Sequence, residues 1–145
     1  MSSPFEKHIV LMVDDNPELL ESVAFALRKL ANIQVETALD GVTGLERIIE
    51  LRPSCVIIDV KMPGLDGNQL IRALRGDPET ASLPLIILSA MVQPQDQFMG
   101  RVSGADVYLT KPLNIQDLLD AINHAITLSD EDRARRLQDM VDESL

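Results

Sequence analysis

Cys55-Val-Ile-Ile-Asp59-Val-Lys-Met-Pro-Gly-Leu-Asp-Gly67 decides the fold. The run from Cys55 to Ile58 is continuously apolar and carries three β-branched residues, the pattern of a strand buried on both faces in a helix-covered parallel sheet. Asp59 stands where that run meets water. Open α/β sheets bind their ligands at the carboxyl ends of central strands, so its carboxylate lies in a ligand-bearing region. Taken alone, Asp59 reads equally as a strand-capping aspartate. Pro63 fixes φ and lacks a donor, and Gly64 accepts the positive φ that a type II turn from Met62 to Leu65 requires.

Working outward, the other strands repeat the theme. Ile9-Val-Leu-Met-Val13 is a second apolar run and ends in Asp14-Asp15. Asn16-Pro17-Glu18 then supplies a cap, a proline suited to the first helical position and a first-turn acid. The helix that follows places Leu20, Val23, Ala24, Leu27 and Leu30 on one stripe. A weaker strand from Val35 to Ala38 leads through Asp40-Gly41 into a helix carrying Val42, Leu45, Ile48 and Ile49. Beyond Gly67, a helix with Leu70, Ile71 and Leu74 inward ends at the breakers Arg75-Gly76-Asp77-Pro78. Leu85-Ile-Ile-Leu88 is another buried strand, ending in Ser89-Ala90. Residues 93–103 are the least apolar helix candidate, anchored by Phe98 and Val102. Gly104 to Thr110 is a turn and short strand before Lys111-Pro112. Ile115, Leu118, Leu119, Ile122 and Ile126 line the last body helix. Fivefold strand–helix alternation predicts an α/β fold: a doubly wound five-stranded parallel sheet with helices on both faces.

The chain has 145 residues and a formal net charge of -10. This size suits one domain. The acidity argues against direct nucleic-acid binding, which rests on Lys and Arg. The single cysteine, Cys55, lies in an apolar run and reads as core in a reducing compartment. No stretch has the apolar length of a membrane span, and the N-terminus lacks a signal-peptide pattern, so the expected location is cytoplasmic, with no membrane partner. From Thr127 the composition shifts. Residues 129–145 form a charged segment with Glu131–Arg135 and Asp132–Arg136 at i, i+4, and Ala134, Leu137, Val141 and Leu145 on one stripe. It reads either as a solvated chain-end helix or as a signalling helix that self-pairs or leads into an output domain.

In such a sheet Asp14, Asp15, Asp59 and Ser89 share one edge, and the fifth strand delivers Lys111. Two carboxylates about 4 Å apart repel by about 4 kcal/mol at an effective dielectric of about 20, so the cluster calls for a cation. Few hard oxygen ligands suit Mg²⁺ better than Ca²⁺ or zinc. His8 and His124 fall away from this edge, which removes a zinc reading. A carboxylate beside a divalent cation is a nucleophile for phosphoryl groups, and Lys111 and Ser89 can neutralise and hydrogen-bond phosphoryl oxygens. No general base for hydrolysis is evident. The site reads as an acceptor that holds a phosphoryl group, not as an enzyme.

These residues, together with Met62-Pro63-Gly64, Asp66-Gly67, Ser89-Ala90, Tyr108 and Lys111-Pro112, each at or just past a strand end, make residues 7–128 resemble a receiver domain of a two-component response regulator. The resemblance implies the flavodoxin-like strand order 2-1-3-4-5, which is the order of a chemotaxis receiver. It implies that Asp59 is the phosphoacceptor and that Asp15, Asp59 and the Lys61 backbone carbonyl bind Mg²⁺, with Asp14 acting largely through water. Lys111 would pair with the phosphoryl group, Ser89 would hydrogen-bond it, and Lys111-Pro112 would be cis. Phosphorylation would draw Ser89 inward and let Tyr108 rotate. The surface formed by helix 93–103, the Tyr108 strand and the last body helix would then change. Lys61 and Met91, two positions after Asp59 and Ser89, would flank an attacking water and tune lifetime.

The implied partners are a sensor histidine kinase or histidine phosphotransfer protein and a downstream effector or fused output domain. A homodimer through the switch surface or the charged segment is a further expectation. The alternative is a receiver cut from a larger regulator with an enzymatic or DNA-binding output. Rival chemistries fit less well. A haloacid dehalogenase-type enzyme wants an aspartate at position 61, where this chain has Lys61. A flavin binder would not place Asp14-Asp15 in its phosphate loop, and no Walker lysine loop occurs.

Overall fold

Each apolar run becomes a strand, and turn chemistry at the run's end starts the next helix. The computed structural model describes residues 8–60, 62, 64–89 and 104–127. The order is β1 (Ile9–Val13), α1 (Pro17–Ala31), β2 (Gln34–Ala38), α2 (Gly41–Leu51), β3 (Cys55–Asp59), α3 (Gly67–Gly76), β4 (Leu85–Ser89) and β5 (Val107–Thr110). A fourth described helix, α4, covers residues 115–127. The polar leader, Lys61, Pro63, Ala90, Met91, the helix expected at 93–103 and the segment 129–145 lie outside the described residues, whereas Gly64 has the positive φ, 77°, expected of the turn after Met62.

All strand pairs are parallel, in the order β2-β1-β3-β4-β5 expected from the resemblance. Alternate side chains serve opposite faces. Val10, Met12, Cys55, Ile57, Ile86 and Leu88 pack against α1 and against Leu118, Ala121, Ile122 and Ala125 of α4. Leu11, Val13, Val56, Ile58, Leu85 and Ile87 pack against Ile48 of α2 and Leu70, Ile71 and Leu74 of α3. Burial raises the Cys55 thiol pKa far above its ordinary value, which keeps it protonated and inert.

The caps follow the sequence closely. The Asn16 side chain accepts from the amides of Glu18 (3.1 Å) and Leu19 (3.2 Å). Asp66 and Gln69 exchange hydrogen bonds of 2.9 Å in a capping box that starts α3. Asp40 accepts from the Thr43 amide (2.7 Å) and hydroxyl (3.1 Å), which lowers its carboxyl pKa.

Two helical stripes differ from expectation. Leu30 is exposed, because α1 ends in a left-handed Asn32 and Ile33 folds back, its amide reaching the Leu27 carbonyl at 3.5 Å, to take the buried place. On α2, only Ile48 among the large apolar residues is fully buried, alongside Gly41 and Gly44. A Cβ at Gly41 would lie 2.3 Å from the Leu65 carbonyl oxygen, and one at Gly44 would lie 3.0 Å from both Val13 methyls. Val13 and the Leu65 carbonyl leave room only for glycine at positions 41 and 44, Ile48 fills the inward face below them, and Val42 and Ile49 point outward. Interior glycine costs a helix about 1 kcal/mol relative to alanine, so this orientation is maintained against local preference.

Candidate functional site

The parallel registers bring the carboxyl ends of β1, β3, β4 and β5 to one edge. Val13 pairs with Ile58, Asp59 with Leu88, and Ser89 with Thr110. Asp14, Asp15 and Asp59 each place a carboxylate oxygen within 4.8 Å of the others. Asp14 is 0 % exposed and Asp59 6 %, whereas Asp15 faces solvent. The group is therefore an acidic recess with one open wall.

Lys111 crosses this recess. Its Nζ lies 3.3 Å from Asp14 Oδ2 and 3.7 Å from Asp59 Oδ1. Its amide donates to the Ser89 carbonyl at 2.7 Å, which holds the β5 end against β4. The Lys111-Pro112 peptide is cis. Asp14 is tied from both sides: its Oδ1 accepts the Asn16 amide at 2.9 Å, and its own amide donates to Ala38 at 3.1 Å. With Oδ2 held by Lys111, both oxygens of Asp14 already have protein partners. Asp15 is the solvent-facing carboxylate of the three, and a set of hard oxygens alone suits Mg²⁺. Ser89 is buried beside them at the end of β4.

Behind Asp59 the chain turns sharply. Gly64 has φ 77, and the Gly67 amide donates to the Val60 carbonyl at 3.1 Å. His8 sits at the opposite end of β1, 2.7 Å from the Ser54 hydroxyl, and His124 is exposed on α4, so neither reaches the recess. Thus Asp14, Asp15, Asp59, Ser89 and Lys111 are brought together as expected. Lys61 and Met91 lie outside the described residues.

Two features escaped sequence reasoning. The nearest carboxylate to Lys111 is Asp14, 97 positions away, and no local pattern signals that pairing. Among the described residues, the Tyr108 hydroxyl is buried without a hydrogen-bond partner, as is Asn68 Oδ1, whereas a strand tyrosine would ordinarily wet its hydroxyl. Tyr108 packs against the Ile87 face of the sheet. A buried, unpaired hydroxyl carries a desolvation cost that phenylalanine lacks. Tyr108→Phe is expected to raise stability by about 1 kcal/mol in denaturant unfolding. A loss of that size would show that the hydroxyl is bonded after all.

Comparison with known proteins agrees with this geometry. A family model described as the response regulator receiver domain matches residues 10–123. Protein PilH of Pseudomonas aeruginosa is 38% identical over 114 residues, 79% of this chain and 93% of PilH. The DNA-binding dual master transcriptional regulator RpaA of Synechocystis sp. is 34% identical over 121 residues, 83% of this chain but 50% of RpaA. The chain therefore spans about half of that longer relative. The crystal structure of Vibrio cholerae chemotaxis protein CheY4 superposes with a TM-score of 0.75 at 30% identity, covering 81% of this chain and 98% of CheY4. Among the described residues, no helix is long and apolar enough to cross a membrane.

Proposed function

The chain belongs to the response regulator receiver domain family, whose members are signalling switches that bind Mg²⁺ at an acidic pocket, and from that premise we propose that Asp59 is its phosphoacceptor. The observation that carries this reading is Lys111, whose ammonium bridges Asp14 and Asp59 beside the three-carboxylate cluster. An Asp59 oxygen attacks the phosphorus of a phosphohistidine on a sensor kinase or histidine phosphotransfer protein. The P–N bond breaks, its electron pair stays on the imidazole, and an aspartyl phosphate forms. Lys111 neutralises a phosphoryl oxygen, and the Ser89 hydroxyl donates to another. Mg²⁺ held by Asp15, Asp59 and the Lys61 carbonyl would offset charge between incoming oxygens and the recess.

The reading extends to the switch. Moving an equilibrium from 1:99 to 99:1 takes about 5.5 kcal/mol, and two charge-assisted bonds of roughly 1.5–3 kcal/mol each approach that figure. Ser89 drawn toward the phosphoryl group would vacate space for Tyr108. The surface around β5 and α4 then presents a changed face to a downstream effector, a fused output domain or a second copy. Residues 7–128 act as the receiver, and 129–145 as a helical extension or linker. The chain works in the cytoplasm, where its kinase presents phosphohistidine, and its own chemistry is limited to acquiring and losing the phosphoryl group.

Incubation with acetyl phosphate and Mg²⁺ should label Asp59, located by peptide mass spectrometry, and chelation of Mg²⁺ should bring labelling to background. Labelling undiminished by the chelator, or placed on another residue, rules the reading out. Lys61 and Met91 offer no acid or amide to orient water, so the aspartyl phosphate should be long-lived. Lys61→Asn or Met91→Glu should shorten its half-life severalfold. Unchanged decay in both variants would remove them as lifetime determinants.

A further inference from the structure

We propose that the outward ridge of α2 is a docking surface for a basic amphipathic helix of a partner protein, separate from the phosphorylation recess. Val42 is 57% exposed and Ile49 62%, and the exposed Leu39 precedes them at the end of β2. Three of the five large apolar residues exposed among the described residues therefore belong to this one strip. Scattered surface leucines need no explanation, but a strip on one helix edge does. Positions 42 and 49 are two turns apart and fall on the same side, about 10 Å along the axis.

Packing among the described residues does not account for the strip. The helix presents Gly44 to Val13 of the sheet and Gly41 to the Leu65 carbonyl of the β3–α3 connection, where neither leaves room for a side chain, and it sends Val42 and Ile49 to water while Ile48 is buried. Such an orientation leaves the apolar edge free for something outside the described chain. At Ile49 the strip meets a cavity of about 550 Å³, lined also by Ile48, Pro53, Leu83, Asp77 and Glu79. An apolar ridge running into a pocket is the form that takes a helix with anchor side chains at i, i+3 and i+7.

Charge decides the partner's chemistry. Glu46 and Glu50 are exposed on α2, and Asp77 and Glu79 are exposed across the cavity. Arg52 and His8 also line the cavity, and Arg47 is engaged by Glu36 at 3.3 Å and Glu50 at 3.9 Å. Counted with both members of those pairs, Glu36, Glu46, Glu50, Asp77 and Glu79 outnumber Arg47, Arg52 and His8, and the chain as a whole carries -10. A second copy would bring like charge to like charge, whereas a lysine- or arginine-flanked helix would be attracted.

The test uses the full chain with Ile49→Cys, since the buried Cys55 is silent toward maleimide. The probe is a synthetic leucine/lysine amphipathic peptide, with a sequence-scrambled peptide of the same composition as control. At about ten times its Kd, the amphipathic peptide should slow maleimide labelling of the new thiol roughly tenfold. Val42→Ser in the same background should weaken that protection. Protection by both peptides alike, or by neither, overturns the proposal. So does a thiol already protected in the free chain: dilution-independent protection would mean that the chain's own terminal segments cover the ridge, and dilution-sensitive protection that a second copy does. None of these readouts requires phosphorylation, so they are independent of Asp59.

Discussion

Asp59→Asn is expected to reduce phosphoryl acceptance from acetyl phosphate to background while leaving the protein folded. The amide keeps the shape of the carboxylate but lacks an anionic oxygen able to attack phosphorus. Electrostatics argue that stability survives. Asp59 gains from Lys111 at 3.7 Å but stands within 4.8 Å of two other carboxylates. At an effective dielectric of about 20 the attraction is about 4.5 kcal/mol and each repulsion about 3.5 kcal/mol, before discounting for the exposure of Asp15 and Lys111. Over these three pairs, removing the charge relieves more than it loses. The melting temperature of the variant should equal or exceed that of the parent, and the rise in melting temperature that Mg²⁺ brings to the parent should shrink. A variant that melts well below the parent would show that Asp59 serves the fold, as a strand cap would. Labelling that persists on Asp14 or Asp15 would reassign the acceptor.

Gly67→Ala is expected to destabilise the domain by about 3 kcal/mol, at the upper end of the usual overpacking range. A Cβ there would lie 2.3 Å from the Asp59 carbonyl oxygen and 2.8 Å from the Val60 Cα. Both obstacles are backbone, so no rotamer change relieves them. Alanine's helix preference is worth about 1 kcal/mol and does not compensate. At this chain length the loss corresponds to a melting temperature lower by about 10 °C, readable by calorimetry or circular dichroism. The same displacement would carry the Asp59 backbone with it, so labelling should fall in the fraction that remains folded. Parent-like melting would show that α3 can slide away from β3 freely, contrary to the buried Leu70, Ile71 and Leu74 that hold it.

Much of the architecture was written in local pattern. The runs 9–13, 55–58 and 85–88 are unbroken and apolar, and their interpretation needs no knowledge of neighbours. Asn16-Pro17 and Asp40-Gly41 mark helix starts because a cap is satisfied by amides two or three residues away. The acidic edge was legible for a related reason: parallel strands joined by right-handed crossovers must send all their carboxyl ends the same way. That rule alone brings Asp14, Asp15, Asp59, Ser89 and Lys111 to one edge of the sheet.

Tertiary packing settled what depends on two surfaces meeting. Periodicity on α2 marked Val42, Leu45, Ile48 and Ile49 as one apolar set, yet the approach of Val13 and Leu65 chose the glycine face for the sheet and put two of the four in water. Lys111 could be assigned to the recess from its place after β5, but that it sits nearer Asp14 than Asp59 follows from how two distant strand ends abut. Tyr108 likewise was a strand aromatic by pattern, and only the depth of the packed face decided that its hydroxyl is shut away from solvent. Local rules act over a few residues along the chain, whereas these three outcomes turn on distances between atoms far apart in it.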